Sequence, residues 1–207
     1  MLAAITLAAF PGAARSQGLD IRVNIPAYRM DVYRNWDHIR TYPVVVGMPA
    51  FGTPEGGYDI RSIEWNPWWN PPETSWAKNE KLTPPGPRNP MGRAKLEFLP
   101  AFYIHGTAGA VGRAASHGCI RMRNEDVLEL ARMIADETGA NIGPGEIARL
   151  EANSRATRRI TLPRPVRVQI VYRLAEEVGG TVEVHDDIYD VGMSSTERAL
   201  AARARSR

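Results

Sequence analysis

Ser116-His117-Gly118-Cys119-Ile120-Arg121 holds the only cysteine in 207 residues. A histidine stands two positions before that cysteine and an arginine two positions after it, and a second histidine, His105, lies fourteen residues upstream in Ile104-His105-Gly106-Thr107. A free thiol titrates near about 8.5, so only a few per cent is thiolate at neutral pH, and a nucleophilic cysteine needs a lowered pKa or a base beside it. Imidazole, titrating near about 6.5, supplies either. His117 qualifies by proximity: in an extended segment residues i and i+2 point the same way, so ring and thiol would share a cleft. His105 qualifies if the intervening loop folds back. Such a base needs its other ring nitrogen held by a partner. Thr107 or a backbone carbonyl near Gly106 could hold it, and no Asp or Glu adjoins either histidine.

The remaining residues of the stretch have roles in the same chemistry. Gly118 lacks a Cβ and tolerates an unusual φ, so the N–H groups of Gly118 and Cys119 could bind a developing oxyanion, a contribution of about 3 kcal/mol per donor. Arg121 could grip a carboxylate with two parallel hydrogen bonds. The plainer alternatives are a buried inert thiol for Cys119 and a surface ion pair for Arg121. Ser116 is not read as a nucleophile, because Ala114-Ala115-Ser116-His117-Gly118 lacks the first glycine of a nucleophile elbow. His38 and His185 lie in strand-like stretches and are read as structural. Four histidines and one cysteine make no structural zinc spacing, and no metal or cofactor is expected.

Outward from this stretch the chain reads as strands. Ile21, Val23 and Ile25 alternate with polar residues, Met30-Asp31-Val32-Tyr33 follows, Arg34-Asn35-Trp36-Asp37 turns, and Ile39 to Val46 returns, with Pro43 suited to an edge or bulge. Lys95 to Ile104 predicts strands that deliver His105, and Gly106 to Ala115 is loop-like. From Asn124 a helix is signalled: Asn124 as cap, Glu125 and Asp126 at its positive end, Val127, Leu130, Ala131 and Ile134 on one face, and Gly139 as its stop. A short helix is expected from Glu146 to Ala152. Val166, Val168 and Ile170 form one strand, Gly179-Gly180 turns, and Val182 and Val184 form the next. Residues 194–207 are basic and read as a frayed helix or disordered tail.

Phe51 to Pro90 stands apart, with eight prolines and four of the five tryptophans. A loop of this length in a compact domain is functional or disordered, and tryptophans argue against disorder. Trp68 and Trp69, beside fixed-φ prolines, could wall a groove; the alternative is that the rings are core of a loop-rich subdomain. The net charge of +3 is too small to argue for nucleic acid, and no Lys/Arg stripe is present. The apolar run at residues 1–10 is too short to span a bilayer, and residues 1–16 read as an export signal without its positive leader; the alternative is an apolar N-terminal helix that packs on the domain.

Taken together, His105, ten intervening residues, and Ser116-His117-Gly118-Cys119-Ile120-Arg121 resemble the signature of the L,D-transpeptidase (YkuD) family. Val23-Asn24-Ile25-Pro26, Asn66-Pro67-Trp68-Trp69-Asn70-Pro71-Pro72, Pro85-Gly86-Pro87-Arg88-Asn89-Pro90-Met91-Gly92 and Asp186-Asp187-Ile188-Tyr189 are similar too, the last to its larger Gram-negative branch. The resemblance spans about residues 19–190. It implies a mainly β catalytic domain of sandwich or barrel-like form, one principal helix after the cysteine, and a proline/tryptophan-rich loop. It implies that Cys119 is acylated, that His105 is the general acid/base, and that His117 supports them. Gly118 would offer an oxyanion N–H, and Arg121, Ser116, Gly106, Trp68 and Trp69 would contact substrate.

The implied substrates are peptidoglycan stem peptides, outside the cytoplasmic membrane. The thiolate attacks the carbonyl of the L-centre of meso-diaminopimelate in a tetrapeptide donor, D-Ala leaves, and an acceptor amine resolves the thioester into a 3→3 cross-link. Other readings are a hydrolase on the same stems (L,D-carboxypeptidase or endopeptidase), a ligase joining an outer-membrane lipoprotein to the wall, and a non-catalytic wall-binding module. Arg121 stands where much of the transpeptidase branch has Asn.

Overall fold

The structure is a computed structural model and describes residues 18–205. The expected export signal at 1–16 lies outside the described residues. The fold is mainly β and its sheet curls. Alternation of apolar and polar residues sets the strands. In β1 (Leu19–Asn24) Leu19, Ile21 and Val23 point into the core, and in β2 (Arg29–Arg34) Met30 and Val32 do so. Asn35 and Trp36, both at positive φ (50° and 80°), turn β2 into β3 (Asp37–Pro43). This two-residue connection matches the twist of the strands it joins. β3 closes one edge of the sheet, so Pro43 costs little in lost pairing.

Nine further strands follow: β4 (Val45–Gly47), β5 (Gly56–Trp65), β6 (Ala94–Leu99), β7 (Phe102–Thr107), β8 (Arg113–Ser116), β9 (Ile120–Arg123), β10 (Arg158–Val171), β11 (Ala175–Val178) and β12 (Thr181–Val184). The main sheet runs β3-β2-β1-β10-β5-β6-β7-β9-β4-β8. β10 pairs parallel with β1 and antiparallel with β5, and the β10–β5 register slips between Thr161 and Val166. Pro163 and Pro165 fall inside that slip and have no N–H to give a ladder.

Between β9 and β10 lie α1 (Asn124–Thr138) and α2 (Pro144–Ala152). Val127, Leu130, Ala131 and Ile134 bury one face of α1 in the same core as Ile63, Leu96, Ile104 and Ile120. Gly139 ends α1 at φ 67°, as expected of a left-handed stop. The expected cap is corrected. Arg123 holds the N-cap position with no side-chain cap bond, and Asn124 Oδ1 instead accepts the backbone N–H of Arg93 at 3.0 Å. That oxygen fills the space beside Gly92 and Gly106, lying 2.3 Å from where a Cβ on either would sit.

The segment between β5 and β6 is tied down by two buried asparagines. Prolines leave carbonyls without local N–H partners. Asn66 Nδ2 donates to the carbonyls of Leu150, Asn153 and Ala156, and Asn89 Nδ2 to those of Pro67, Thr83 and Pro84. A bridge between Trp69 and Thr83 narrows the loop further. At the other end of the chain, Gly179 and Gly180 turn β11 into β12 at positive φ. Arg29 pins this hairpin through Glu176 and Glu183. Residues Ser195–Arg205 form α3, which packs on the hairpin. Among the described residues no helix is long and apolar enough to cross a membrane.

Candidate active site

Strand pairing brings the two halves of the sequence pattern together. β7 and β9 run parallel with Ile104 opposite Ile120 and His105 opposite Arg121. Ile104 and Ile120 point into the core. Because side chains alternate, His105 and Arg121 share the other face, and Cys119, two residues before Arg121, joins them. On the far side of β7, Lys95 of β6 is opposite His105. Lys95 is held by Glu64 at 3.2 Å and lies 5.3 Å from the ring centre of Tyr103.

His105 is buried, and its Nδ1 lies 2.9 Å from the carbonyl oxygen of Gly106. A carbonyl only accepts, so Nδ1 carries the proton and donates, and Nε2 keeps its lone pair. Between the two orienting groups expected, Thr107 and a backbone carbonyl, the carbonyl holds the ring; Thr107 Oγ1 accepts from Gly109 instead. Burial, with Arg121 adding to it, pushes the His105 imidazole down to about 4. Burial pushes the Cys119 thiol above its ordinary value, against the Tyr103 N–H directed at the sulfur and the charge of Arg121. Neutral imidazole and neutral thiol are therefore the resting forms at neutral pH.

The turn before Cys119 is not extended, yet His117 and Cys119 still line one cleft, as expected of them. Gly118 sits at φ 100°, and a Cβ there would meet the Phe102 ring at 2.6 Å. The Ser116 hydroxyl, fully buried, donates to the Cys119 carbonyl at 2.6 Å and accepts the Gly118 N–H at 3.1 Å. Two expectations are corrected by this. The Gly118 N–H is engaged inside the turn and does not face the cleft as an oxyanion donor. Ser116 braces the turn and presents no group to a substrate. Gly106 is likewise buried against Gly92 and Asn124, and its contribution is the carbonyl that orients His105.

His117 turns to an aromatic wall. Its ring stacks on Trp76 with centroids 4.0 Å apart and meets the edge of Phe51 at 4.6 Å. Burial, then the charge of Arg121, lowers its pKa. A cavity of about 800 Å³ lies in front of these groups, lined by His105, His117, Cys119 and Arg121 together with Trp68, Trp69 and Trp76. Trp68 is 46% exposed at its mouth, so the rings that the sequence suggested as groove walls do line a groove. Arg121 lines this cavity, and its Nε is buried with no hydrogen-bond partner among the described residues.

Sequence reasoning missed Phe51, Trp76 as the ring on His117, and Tyr103. Alternation alone could have found Tyr103, which is two residues from His105 on the same strand. No local signal could have found the other two, because both reach the site through loops.

Residues 19–168 match the model of the YkuD family, described as the L,D-transpeptidase catalytic domain. A protein of Bacillus licheniformis bearing the name L,D-transpeptidase YkuD is 32% identical over 127 residues, covering 60% of this chain and 65% of that protein. An Escherichia coli protein named L,D-transpeptidase ErfK/SrfK is 30% identical over 118 residues, covering 52% of this chain and 38% of the other. The chain thus spans less than two thirds of the length of these relatives. Among solved structures, the catalytic domain of an E. faecium L,D-transpeptidase is 16% identical with a TM-score of 0.48, covering 76% of this chain and all of that one.

Proposed function

Since the chain belongs to the L,D-transpeptidase catalytic-domain family, we propose that it forms 3→3 cross-links between peptidoglycan stem peptides through a thioester on Cys119. The observation that carries this reading is that Cys119 and His105 line one cavity, with the His105 Nδ1–H held by the Gly106 carbonyl. His105 Nε2 takes the thiol proton as sulfur attacks the carbonyl carbon of the donor stem. When the tetrahedral adduct collapses, the C–N bond breaks and His105 returns that proton to the departing D-Ala amine. The acceptor amine then attacks the thioester and gives its proton to His105, and as the C–S bond breaks His105 returns that proton to the departing sulfur, restoring the thiol.

Arg121 holds positive charge beside the sulfur throughout, favouring thiolate as it develops, and its guanidinium, on the lining of the cavity, offers hydrogen bonds to a stem carboxylate. His117 supports the turn from its place between Phe51 and Trp76. The aromatic side of the cavity favours an amine over water as the second nucleophile. Residues 19–190 form the catalytic domain in this reading, exported by a signal within 1–16 to act on the wall.

The test is incubation with disaccharide-tetrapeptide and mass spectrometry of the products. Cross-linked dimer with loss of D-Ala is expected. Tripeptide monomer alone would replace the reading with a hydrolase. Unchanged activity in Cys119→Ala would end the thiol mechanism.

A further inference from the structure

The chain beyond residue 168 lies outside the stretch matched by the family model, yet it closes on the back of the site. Tyr189 is the point of closure. Its hydroxyl donates to the Gly47 carbonyl at 2.7 Å and accepts the Thr53 N–H at 3.1 Å. These two groups are the ends of one tight loop, in which the Gly47 N–H also donates to Thr53 Oγ1 at 2.8 Å. The loop is so compact that a Cβ on Gly47 would lie 2.1 Å from the Phe51 carbonyl oxygen. The Tyr189 ring runs beside Gly52, 3.5 Å from where a Cβ there would sit.

This loop touches the catalytic turn at three places. The Phe51 ring packs on His117. The Gly52 carbonyl oxygen lies 3.3 Å from the Cβ position of Gly118. The Met48 N–H donates to the Ser116 carbonyl at 3.0 Å. Tyr189 is itself fixed from behind. Its N–H donates to the Tyr172 hydroxyl at 2.8 Å, that hydroxyl donates to Asp187 at 2.7 Å, and the two tyrosine rings stack at 5.2 Å. Tyr172 N–H reaches Glu55 at 3.1 Å, just past the loop.

We propose that Tyr189 is a positioning residue for the reaction: its hydroxyl staples the Gly47–Thr53 loop shut, and the loop sets the Ser116–Gly118 turn and the His117 ring beside Cys119. The proposal rests on the transpeptidase reading above. It assigns catalytic consequence to a segment outside the matched family domain, acting through contacts and never through substrate. Small displacements of a positioned nucleophile cost rate more than affinity.

Tyr189→Phe removes one oxygen and keeps the ring stack. The control is Arg29→Met, which cuts the ties to Glu176 and Glu183 and leaves every hydrogen bond of the Tyr189 hydroxyl in place. Both full-length variants are assayed on disaccharide-tetrapeptide well below their denaturation midpoints, and the His117 ring signals are followed by ¹H–¹³C NMR. Tyr189→Phe is expected to lower kcat about tenfold with KM within about twofold, and to shift the His117 signals. Arg29→Met is expected to change neither. In an active wild-type protein, an unchanged kcat in Tyr189→Phe, or a fall no larger than in Arg29→Met, overturns the proposal. The NMR readout needs no turnover. An inactive wild type ends the transpeptidase reading, while unshifted His117 signals in Tyr189→Phe end the staple by themselves.

Discussion

The indole of Trp76 lies flat on the imidazole of His117, with ring centroids 4.0 Å apart and planes 9° from parallel. Phe51 meets the same imidazole edge-on at 61°. One histidine next to the nucleophile therefore joins two loops that are far apart in sequence. The tryptophan loop is anchored at its roots by Asn66 and Asn89, and Trp76 stacks on His117 near its middle.

A stacked pair of this kind contributes about 0.5–1.5 kcal/mol. Trp76→Ala should free the middle of the loop and leave its asparagine anchors intact. The expected outcome is a several-fold rise in tripeptide relative to cross-linked dimer, because water reaches the thioester that the rings otherwise shield. The unfolding midpoint should move little, since Trp76 is 36% exposed and outside the core. Mass spectrometry of both products from one reaction checks the ratio. An unchanged ratio would show that the loop does not decide between amine and water.

Burial of His105 makes both stability and rate depend on acid. Its imidazole is held at about 4, against an ordinary 6.5. Between these values the unfolded chain binds a proton there and the folded chain does not, so stability rises with pH across this window. At about 1.36 kcal/mol per pH unit, the loss on going from pH 7 to pH 4 is about 3 kcal/mol. Urea unfolding at both pH values should show wild type losing about that much more than His105→Gln. The acid limb of kcat/KM should lie near 4, with a plateau through pH 5 to 7 and no step at the usual histidine value.

How legible this was from sequence depends on where each contact comes from. Strands β1, β2, β6 and β7 announce themselves by alternation, and α1 by its apolar face and its glycine stop, because these patterns are local. Cys119 and His105 were legible as chemistry, but proposing His105 rather than His117 as the base needed the family pattern, since proximity along the chain favoured His117. Asn124 was misread because asparagine is a good cap in any sequence. Its partner, the Arg93 N–H, is brought to it only by β6, β7 and β9 lying side by side. Ser116 and Gly118 were misassigned for a related reason. A turn can consume its own donors, and a residue string does not say which hydrogen bonds close inside it. The contacts of Phe51 with His117 and of Tyr189 with the Gly47–Thr53 loop were invisible, because separation along the chain says nothing of distance in space.

Arg121 couples the thiol and the base. Its charge lowers the pKa of Cys119 and also that of His105, while burial is the larger influence on each. Arg121→Met should therefore raise both. Alkylation of Cys119 by iodoacetamide at pH 8 should slow several-fold, and the acid limb of kcat/KM should move upward from about 4. Arg121→Lys should restore much of the alkylation rate, since charge suffices for that. It should not restore KM for a donor with a free carboxylate, since lysine lacks the planar donor set whose Nε is unpaired here. Equal KM values for arginine and lysine would assign Arg121 to the sulfur alone.

Gly118 and Ser116 hold the turn by different means, and substitutions separate them. Ser116→Ala leaves the Gly118 N–H and the Cys119 carbonyl without their shared partner, a cost of about 1–3 kcal/mol for a buried group. Gly118→Ala keeps that partner but forces a side chain to φ 100° and drives its Cβ into Phe102. The backbone cost is about 1–2 kcal/mol, and the overpacking adds about 1–3 kcal/mol. Gly118→Ala should thus be the more damaging in unfolding experiments, and its kcat should fall further, because Cys119 follows directly in the chain. Adding Phe102→Ala removes the clash and leaves the strained φ. The double variant should recover part of the lost stability and little of the lost kcat. Full recovery of kcat would mean that the ring contact, rather than the backbone conformation of Gly118, places the sulfur.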